Sequence, residues 1–507
     1  MTSKAKGLGV EAMVKGVKVF IPAIEDMDFF YWFVDMCVDY GYDTIMMEIG
    51  GAMEYKRHPE INEAWTRYCK KFTDYQGQSL DYQDSFTMAK DSIHCENGGG
   101  TWVKQEILKD IVAYCKEKGI ELIPEQPTLS HCDYLLQAYP ALAEFHDEQP
   151  DTYCPQNEKV YEIVFDLMEE IIEVFQPKMI NIGHDEYYTV GLCNQCRGKA
   201  PEDLYANDII RIYDYLKNRG IKTMIWGEKL LNAYSKTGKD WGGAHRKIYN
   251  RKGEFLHEVP AIYPAIDKIP TDIVILHWYY YVRQHFEQEL LDHGFPVIYG
   301  NYNPEGMYQF QERMAKGIGG FFISNWSKLN REHMQRNGIF AHMAYGAKMC
   351  EPDYDENRFG DNFIEVTDRL YQYFNKETLE GNYIEIMHNT NVFYDHHSFV
   401  DGYTIDKEKD YLGSYHIHFE DGSENSVPLF YGLNIGNENC NFERDMDQEF
   451  DVLNLAPQLL EPSATCRYHY DGEKMWYIIC IGTEKEVNHV TFEAAAGKEG
   501  AVDFQVL

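Results

Sequence analysis

Gln176-Pro-Lys-Met-Ile-Asn-Ile-Gly-His-Asp-Glu186 packs a helix end, a buried strand and a polar strand exit into one short run. Upstream, Val160, Ile163, Val164, Leu167, Met168, Ile171, Ile172 and Phe175 recur at three- and four-residue steps, the apolar stripe of a helix lying on a sheet. Pro177 stops that helix. Met179–Gly183 then reads as a strand in which Ile180 and Ile182 point one way and Asn181, Gly183 and Asp185 the other. Downstream, Pro201 followed by Glu202 and Asp203 opens the next helix with the expected N-terminal chemistry.

The same unit recurs on both sides. Strand cores are expected at Val17–Pro22, Thr44–Glu48, Glu121–Pro124, Met179–Gly183, Lys222–Trp226, Asp272–Leu276, Val297–Asn301 and Gly320–Ile323. Gly41, Gly119, Gly220, Gly294 and Gly317 stand as helix ends before five of them. Strands alternating with helices imply a parallel sheet with right-handed crossovers. Eight units predict a (β/α)8 TIM barrel with enlarged loops. A doubly wound open sheet is the alternative, weakened because no glycine-rich phosphate loop follows the first strand. Gly98-Gly99-Gly100 lacks both a preceding strand and a lysine.

Beyond Cys350 the pattern changes. A helical stretch runs through Asn375, followed by Tyr383–Tyr394 and by short alternating runs at Tyr415–Phe419, Ser463–Tyr470, Met475–Ile481 and Val487–Phe492. Asp421-Gly422 and Asp471-Gly472 read as turns between them. The 507 residues are therefore expected to divide into a catalytic barrel over 1–355 and a C-terminal β-sandwich-like domain over 356–507, led by a helical segment.

Composition excludes some partners. With 47 basic against 82 acidic residues the net charge is −35, which repels phosphate backbones and anionic membranes. Neither nucleic acid nor a membrane is expected as a partner. The start of the chain shows no signal-type apolar region, and the scattered cysteines read as reduced, so a cytoplasmic location is expected. The C-terminal domain is a possible surface for a homo-oligomer.

In a barrel of this kind, catalytic groups sit where strands end. Those ends read Glu48-Ile-Gly-Gly51, Glu125-Gln-Pro-Thr-Leu-Ser-His131, His184-Asp-Glu186, Trp226-Gly-Glu228, His277-Trp-Tyr279, Tyr299-Gly-Asn-Tyr302 and Asn325-Trp326. Carboxylates, histidines and large aromatics on one rim make the composition of a sugar site. Glycoside hydrolysis needs a proton donor at the leaving oxygen and a second carboxylate near the anomeric carbon, and Asp185 and Glu186 are the expected pair.

These residues resemble glycoside hydrolase family 20, the β-N-acetylhexosaminidases, as a divergent member. The family's His-x-Gly-Gly-Asp-Glu motif at the fourth strand is similar to Asn181-Ile-Gly-His-Asp-Glu186. Its Ile-Pro-Glu and Pro-Gly-His at the third strand are similar to Ile123-Pro-Glu125 and Pro127-Thr-Leu-Ser-His131, and its fifth and eighth strands end in Trp, as do Trp226 and Trp326. The resemblance implies an exo-acting, retaining enzyme on terminal β-linked GlcNAc or GalNAc, with no cofactor required. It implies Glu186 as general acid and base, and Asp185 as the group that orients the substrate's own 2-acetamido nucleophile. His131, His184, Trp226, Trp278, Trp326, Tyr299 and Tyr302 become candidate substrate contacts. The first strand lacks the family's arginine for the sugar hydroxyls, and Lys328 stands at the family's acid position after the last Trp. Arg57, Glu48 and Glu228 are candidate replacements for these anchors.

Two further features stand apart. Cys193-Asn-Gln-Cys196 with Cys154 offers three ligands for a structural zinc, with a fourth still to be found. His131, His184, Asp185 and Glu186 also allow an alternative reading, a metal-dependent deacetylase or amidohydrolase acting on amino sugars. The third reading is a non-catalytic sugar-binding barrel.

Overall fold

The computed structural model describes residues 13–70, 94, 101–146, 149–249, 253–394, 408–455 and 459–507; the Gly98–Gly100 run lies outside them. Eight strands close a barrel: β1 (Val14–Phe20), β2 (Thr44–Glu48), β3 (Glu121–Thr128), β4 (Met179–Gly183), β5 (Lys222–Trp226), β6 (Val274–His277), β7 (Val297–Tyr299) and β8 (Gly320–Ser324). They pair in chain order, all parallel, and β8 returns to β1 from Val14↔Gly320 to Lys18↔Ser324. β2, β4 and β5 lie at the expected residues, whereas β3 continues past Pro124 to Thr128. Its extension is buried and pairs Glu125 with Asn181 and Thr128 with Gly183 across an irregularity.

Side-chain alternation sorts the barrel into an inside and an outside. Met46, Ile123, Met224, Trp226, Val274, Leu276, Ile298 and Phe322 fill the interior. Ile180 and Ile182 belong to the separate core between barrel and helices. Each such large side chain contributes about 1.5–3 kcal/mol on full burial. The Glu158–Phe175 helix, capped by the Asn157 side chain, lays Val160, Ile163, Val164, Leu167, Met168 and Ile171 into that outer core.

After β8, helices at Arg331–Arg336, Ile339–Met349 and Phe359–Phe374 lead to two antiparallel sheets. One orders Arg467–Tyr470, Met475–Gly482, Tyr383–Thr390 and Val502–Val506; the other orders Glu424–Phe430, Tyr411–Phe419 and Val487–Ala494. Tyr415 joins the sheets, its ring 5.1 Å from Phe504 and its hydroxyl 2.9 Å from His388 Nδ1. Phe363 of the Phe359–Phe374 helix meets both Tyr345 and Tyr468, so this helix packs on its predecessor and on the sheet. The β-rich part also reaches the barrel: Lys236 Nζ donates to the carbonyls of Asp447 and Phe450, and Phe450 packs on Trp241 and Tyr281. Among the described residues no helix is long and apolar enough to cross a membrane.

Candidate active site

The exit of β4 is built to hold its next residues in an uncommon conformation. Gly183, His184 and Glu186 all have left-handed φ, at +74°, +72° and +50°. At Gly183 a Cβ would also meet Pro127 Cα at 3.1 Å, so glycine is required there. His184 adopts the same conformation with a side chain because its ring is tied down at both ends. Nε2 lies 2.9 Å from Asp208 Oδ2 and Nδ1 3.1 Å from Thr128 Oγ1, while Tyr205 donates to the His184 carbonyl. Tyr161 and Tyr153 donate to Asp208 from the other side. The ring is fully buried and turned away from the rim, so His184 anchors the strand exit and does not contact sugar, contrary to the sequence expectation. His184→Ala removes a buried partner of Asp208 while keeping the left-handed residue; a loss of about 3 kcal/mol is expected by urea unfolding.

Beyond that anchor the two neighbouring acids diverge. Asp185 is buried, and the Glu186 side chain is 18% exposed, the more open of the two. The Ser130 hydroxyl donates to the Asp185 carbonyl, and the Glu186 amide donates to Glu228 Oε1 at 2.7 Å. His131 faces both acids: its Nε2 lies 3.4 Å from Asp185 Oδ2 and 3.2 Å from Glu186 Oε2, ion-pair distances. Burial disfavours the charged imidazole, but Asp185, Glu186 and Asp151 reverse this and hold His131 well above its ordinary value. Asp185 is correspondingly held low: burial opposes its ionisation, and the His131 charge prevails.

Behind His131 a second polar layer fills the top of the barrel. His94 stacks on His131 with ring centroids 4.5 Å apart, and His94 Nδ1 lies 2.6 Å from Glu48 Oε1. Lys18 Nζ donates to Glu48 Oε2 at 2.5 Å. Burial resists ionisation of Glu48, yet His94 and Lys18 bring it down to about 2. Glu125 takes the opposite course. Burial, with Glu48 and Asp185 adding, lifts it to about 8 against Lys18. Burial likewise lifts Glu228 to about 7, opposed by Lys229 and aided by Asp185.

These values set a pH dependence of stability. Raised folded-state carboxylates contribute stability that is complete below about 4.5 and lost as pH rises through about 7 for Glu228 and about 8 for Glu125. The Glu48 contribution runs the other way, present above about 4.5 and lost as pH falls through about 2. Stability is therefore expected to fall between pH 5 and 8 by at most about 1.4 kcal/mol per pH unit per proton. Thermal melts of Glu125→Gln over this range should show a flatter decline than the parent.

Three tryptophans cluster at the strand ends. The Trp226 ring centroid is 6.1 Å from Trp278 and 6.0 Å from Trp326. Their indole N–H groups are all committed: Trp226 to Glu125 Oε1 at 2.6 Å, Trp278 to Glu228 Oε2 at 3.2 Å, and Trp326 to Asn301 Oδ1 at 2.9 Å. Trp226 lies against Gly300, where a Cβ would strike its ring at 2.3 Å. Lys18 Nζ sits 3.4 Å from the Trp326 ring centroid, a cation–π contact inside the barrel mouth.

Other expected contacts lie elsewhere. Arg57 stands on the outer surface, paired with Asp166 and Glu173 and 39% exposed, so it is no hydroxyl anchor for this rim. Tyr299 donates to Glu287, and the Tyr302 hydroxyl points at Met349 Sδ, 3.6 Å away. Both are packed between strands and outer helices, which corrects their reading as acetamide contacts. Lys328 pairs with Glu25 and Asp26. Glu48 is at the barrel mouth but fully buried beneath His94. The sequence reading missed Lys18, His94 and Tyr281. Lys18 was signalled by its charge on an apolar inward-facing strand. Tyr281 is half-buried, and burial with the charges of Glu186 and Glu228 lifts its hydroxyl to about 12.

Among the described residues, two groups have metal-binding geometry. Glu144, Cys154, Cys193 and Cys196 converge, and so do His131, Asp185 and Glu186. In the second group His131 Nε2 lies within ion-pair distance of both acids.

Paired carboxylates and clustered tryptophans at the C-terminal rim of a (β/α)8 barrel are the makings of a glycoside hydrolase. The profile of Glycosyl hydrolase family 20, catalytic domain, matches residues 50–316, and the chain belongs to that family. A curated Beta-hexosaminidase of Akkermansia muciniphila is 27% identical over 205 residues, 37% of each chain. Another, of Porphyromonas gingivalis, is 25% identical over 234 residues, 40% of this chain and 30% of that one. The matched segments thus span about a third of the length of these relatives. Among solved structures, a β-N-acetylhexosaminidase of Bacteroides fragilis superposes with TM-score 0.48 at 17% identity, covering 71% of both chains. An exo-β-N-acetylglucosaminidase of Vibrio harveyi in complex with N-acetylglucosamine gives 0.48 at 15%, covering 70% of this chain and 58% of its own.

Proposed function

We propose that the protein is a retaining exo-glycoside hydrolase that removes terminal β-linked N-acetylhexosamine, GlcNAc or GalNAc, by substrate-assisted catalysis. One observation carries the reading: the Asp185 and Glu186 carboxylates flank His131 at 3.4 and 3.2 Å at the end of the fourth barrel strand. Family membership and the names of the curated relatives support the substrate class.

In this mechanism Glu186, the more open acid, gives its proton to the leaving oxygen. Buried, anionic Asp185 accepts the acetamide N–H and turns the acetamide oxygen onto the anomeric carbon. The C–O bond to the aglycone breaks as the oxazoline ring closes. Glu186, now a carboxylate, takes a proton from water, whose oxygen reopens the ring with net retention. Glu228 holds the Glu186 amide and the Trp278 indole, which fixes acid and tryptophan relative to each other. Exo action is supported by the hairpins Asn232–Tyr234/Asp240–Gly242 and Arg246–Tyr249/Phe255–Val259, which extend the loop after β5.

Matched aryl glycosides test the proposal. An aryl N-acetyl-β-hexosaminide should be turned over with retention by NMR, and the same aryl β-hexoside without the acetamide should be inert. Comparable rates on both would sink the acetamide role. Release of acetate instead of the aryl group, abolished by chelator and restored by divalent metal, would establish the deacetylase alternative.

A further inference from the structure

We propose that Cys154, Cys193, Cys196 and Glu144 hold one tetrahedral zinc ion that fastens the loop following the catalytic pair. The three sulfurs and a carboxylate oxygen all lie within 4.8 Å of one another. Cys154 Sγ is 3.4 Å from Cys193 Sγ and 3.6 Å from Cys196 Sγ. A tetrahedral ion with Zn–S bonds of about 2.3 Å places its sulfurs about 3.8 Å apart, so small movements complete the shell.

Glu144 supplies the independent observation. It is 2% exposed, and its Oε1 accepts from the amides of Leu192 at 2.6 Å and Cys193 at 3.1 Å. Its Oε2 is buried with no hydrogen-bond partner. A buried carboxylate oxygen left bare is costly, and a cation among three thiolates removes that cost.

The backbone already arranges the donors. Glu144 and Cys154 flank the Ala143↔Tyr153 bridge on either side, with Glu144 N donating to Thr152 O and Cys154 N to Leu142 O, each at 2.8 Å. Cys193 and Cys196 share a tight turn in which the Cys196 amide donates to Cys193 Sγ at 3.3 Å. One pair comes from the excursion after β3 and the other from the loop after β4, so the ion would join two loops. A disulfide accounts for the sulfurs less well, because it would consume two thiols and leave the third, with Glu144 Oε2, buried and unmatched. Three soft thiolates exclude calcium and magnesium, and the fourth, carboxylate ligand suits zinc better than copper(I).

The function of such an ion is positional. Tyr187, next to Glu186, is buried and stacks on Tyr205, and the chain then runs directly into the metal loop. The zinc would hold segment 187–196 in place without touching sugar.

Elemental analysis of the purified protein, with cobalt(II) exchange, tests the proposal. About one zinc per chain is expected, and the cobalt form should show thiolate-to-cobalt charge transfer with intense tetrahedral bands. Cys154→Ser should abolish the stoichiometric metal, Glu144→Gln should weaken its retention, and Glu144→Cys should restore it. Glu186→Gln should keep the full metal content, which separates this site from the glycosidase reading. Stripping the metal with a thiol-directed reagent and chelator should lower the Tm. Background metal after growth with added zinc, a mapped disulfide from Cys154 to Cys193 or Cys196, or cobalt bound without the charge-transfer band would overturn the proposal. The last three measurements use the unmodified chain and do not depend on any variant folding.

Discussion

Glu186→Gln should leave the Tm close to that of the parent and lower kcat about 10²–10⁴-fold on substrates with poor leaving groups. The amide keeps the shape of the side chain, and the Glu186 backbone amide still reaches Glu228. What disappears is the proton for the departing oxygen and the base for the incoming water. The deficit should shrink for a dinitrophenyl aglycone, which departs without protonation. Steady-state kinetics over a leaving-group series measures this directly. A uniform loss across the series would show that residue 186 is not the proton donor.

Asp185→Asn is the second large effect, expected at about 10²–10³-fold in kcat through loss of a preorganised charge at the reacting acetamide. It also has an electrostatic signature. Burial works against a charged His131, and Asp185 is the leading group that overcomes it. The stability held by a protonated His131 is complete below about 6.5 and is lost as pH rises through its raised folded value. Without Asp185 that folded value drops, so the alkaline limb of kcat/KM and the NMR titration of the His131 ring should both move to lower pH. An unmoved His131 titration would mean that the ion pair does not govern the imidazole.

The barrel was legible because its signal is local and repeated. The apolar stripe from Val160 to Phe175, the stop at Pro177 and the alternation through Met179–Gly183 each follow from residue order. The placing of Asp185 and Glu186 on the rim follows from the same alternation. The tryptophans were legible as strand-end residues, and Trp226, Trp278 and Trp326 do come together.

Side-chain direction beyond the strand ends was not legible. Tyr299 and Tyr302 are strand-end aromatics like the tryptophans, but their hydroxyls meet Glu287 and Met349 because the outer helices offer those partners. Arg57 was drawn away by two helix carboxylates. His184 resembled a rim ligand, but the left-handed turn points its ring at Asp208, a residue on the buried face of the Pro201–Lys217 helix.

By itself the sequence determined the barrel, the family and the place of Asp185 and Glu186 at the end of the fourth strand, since each depends on spacing along a few neighbouring residues. Only the tertiary structure decided that Lys18 and His94 charge-balance Glu48, that Glu125 and Glu228 are raised by burial, and that Glu144 joins three thiols. Those facts depend on dielectric environment and on contacts between loops distant in the chain, and neither is encoded in local spacing.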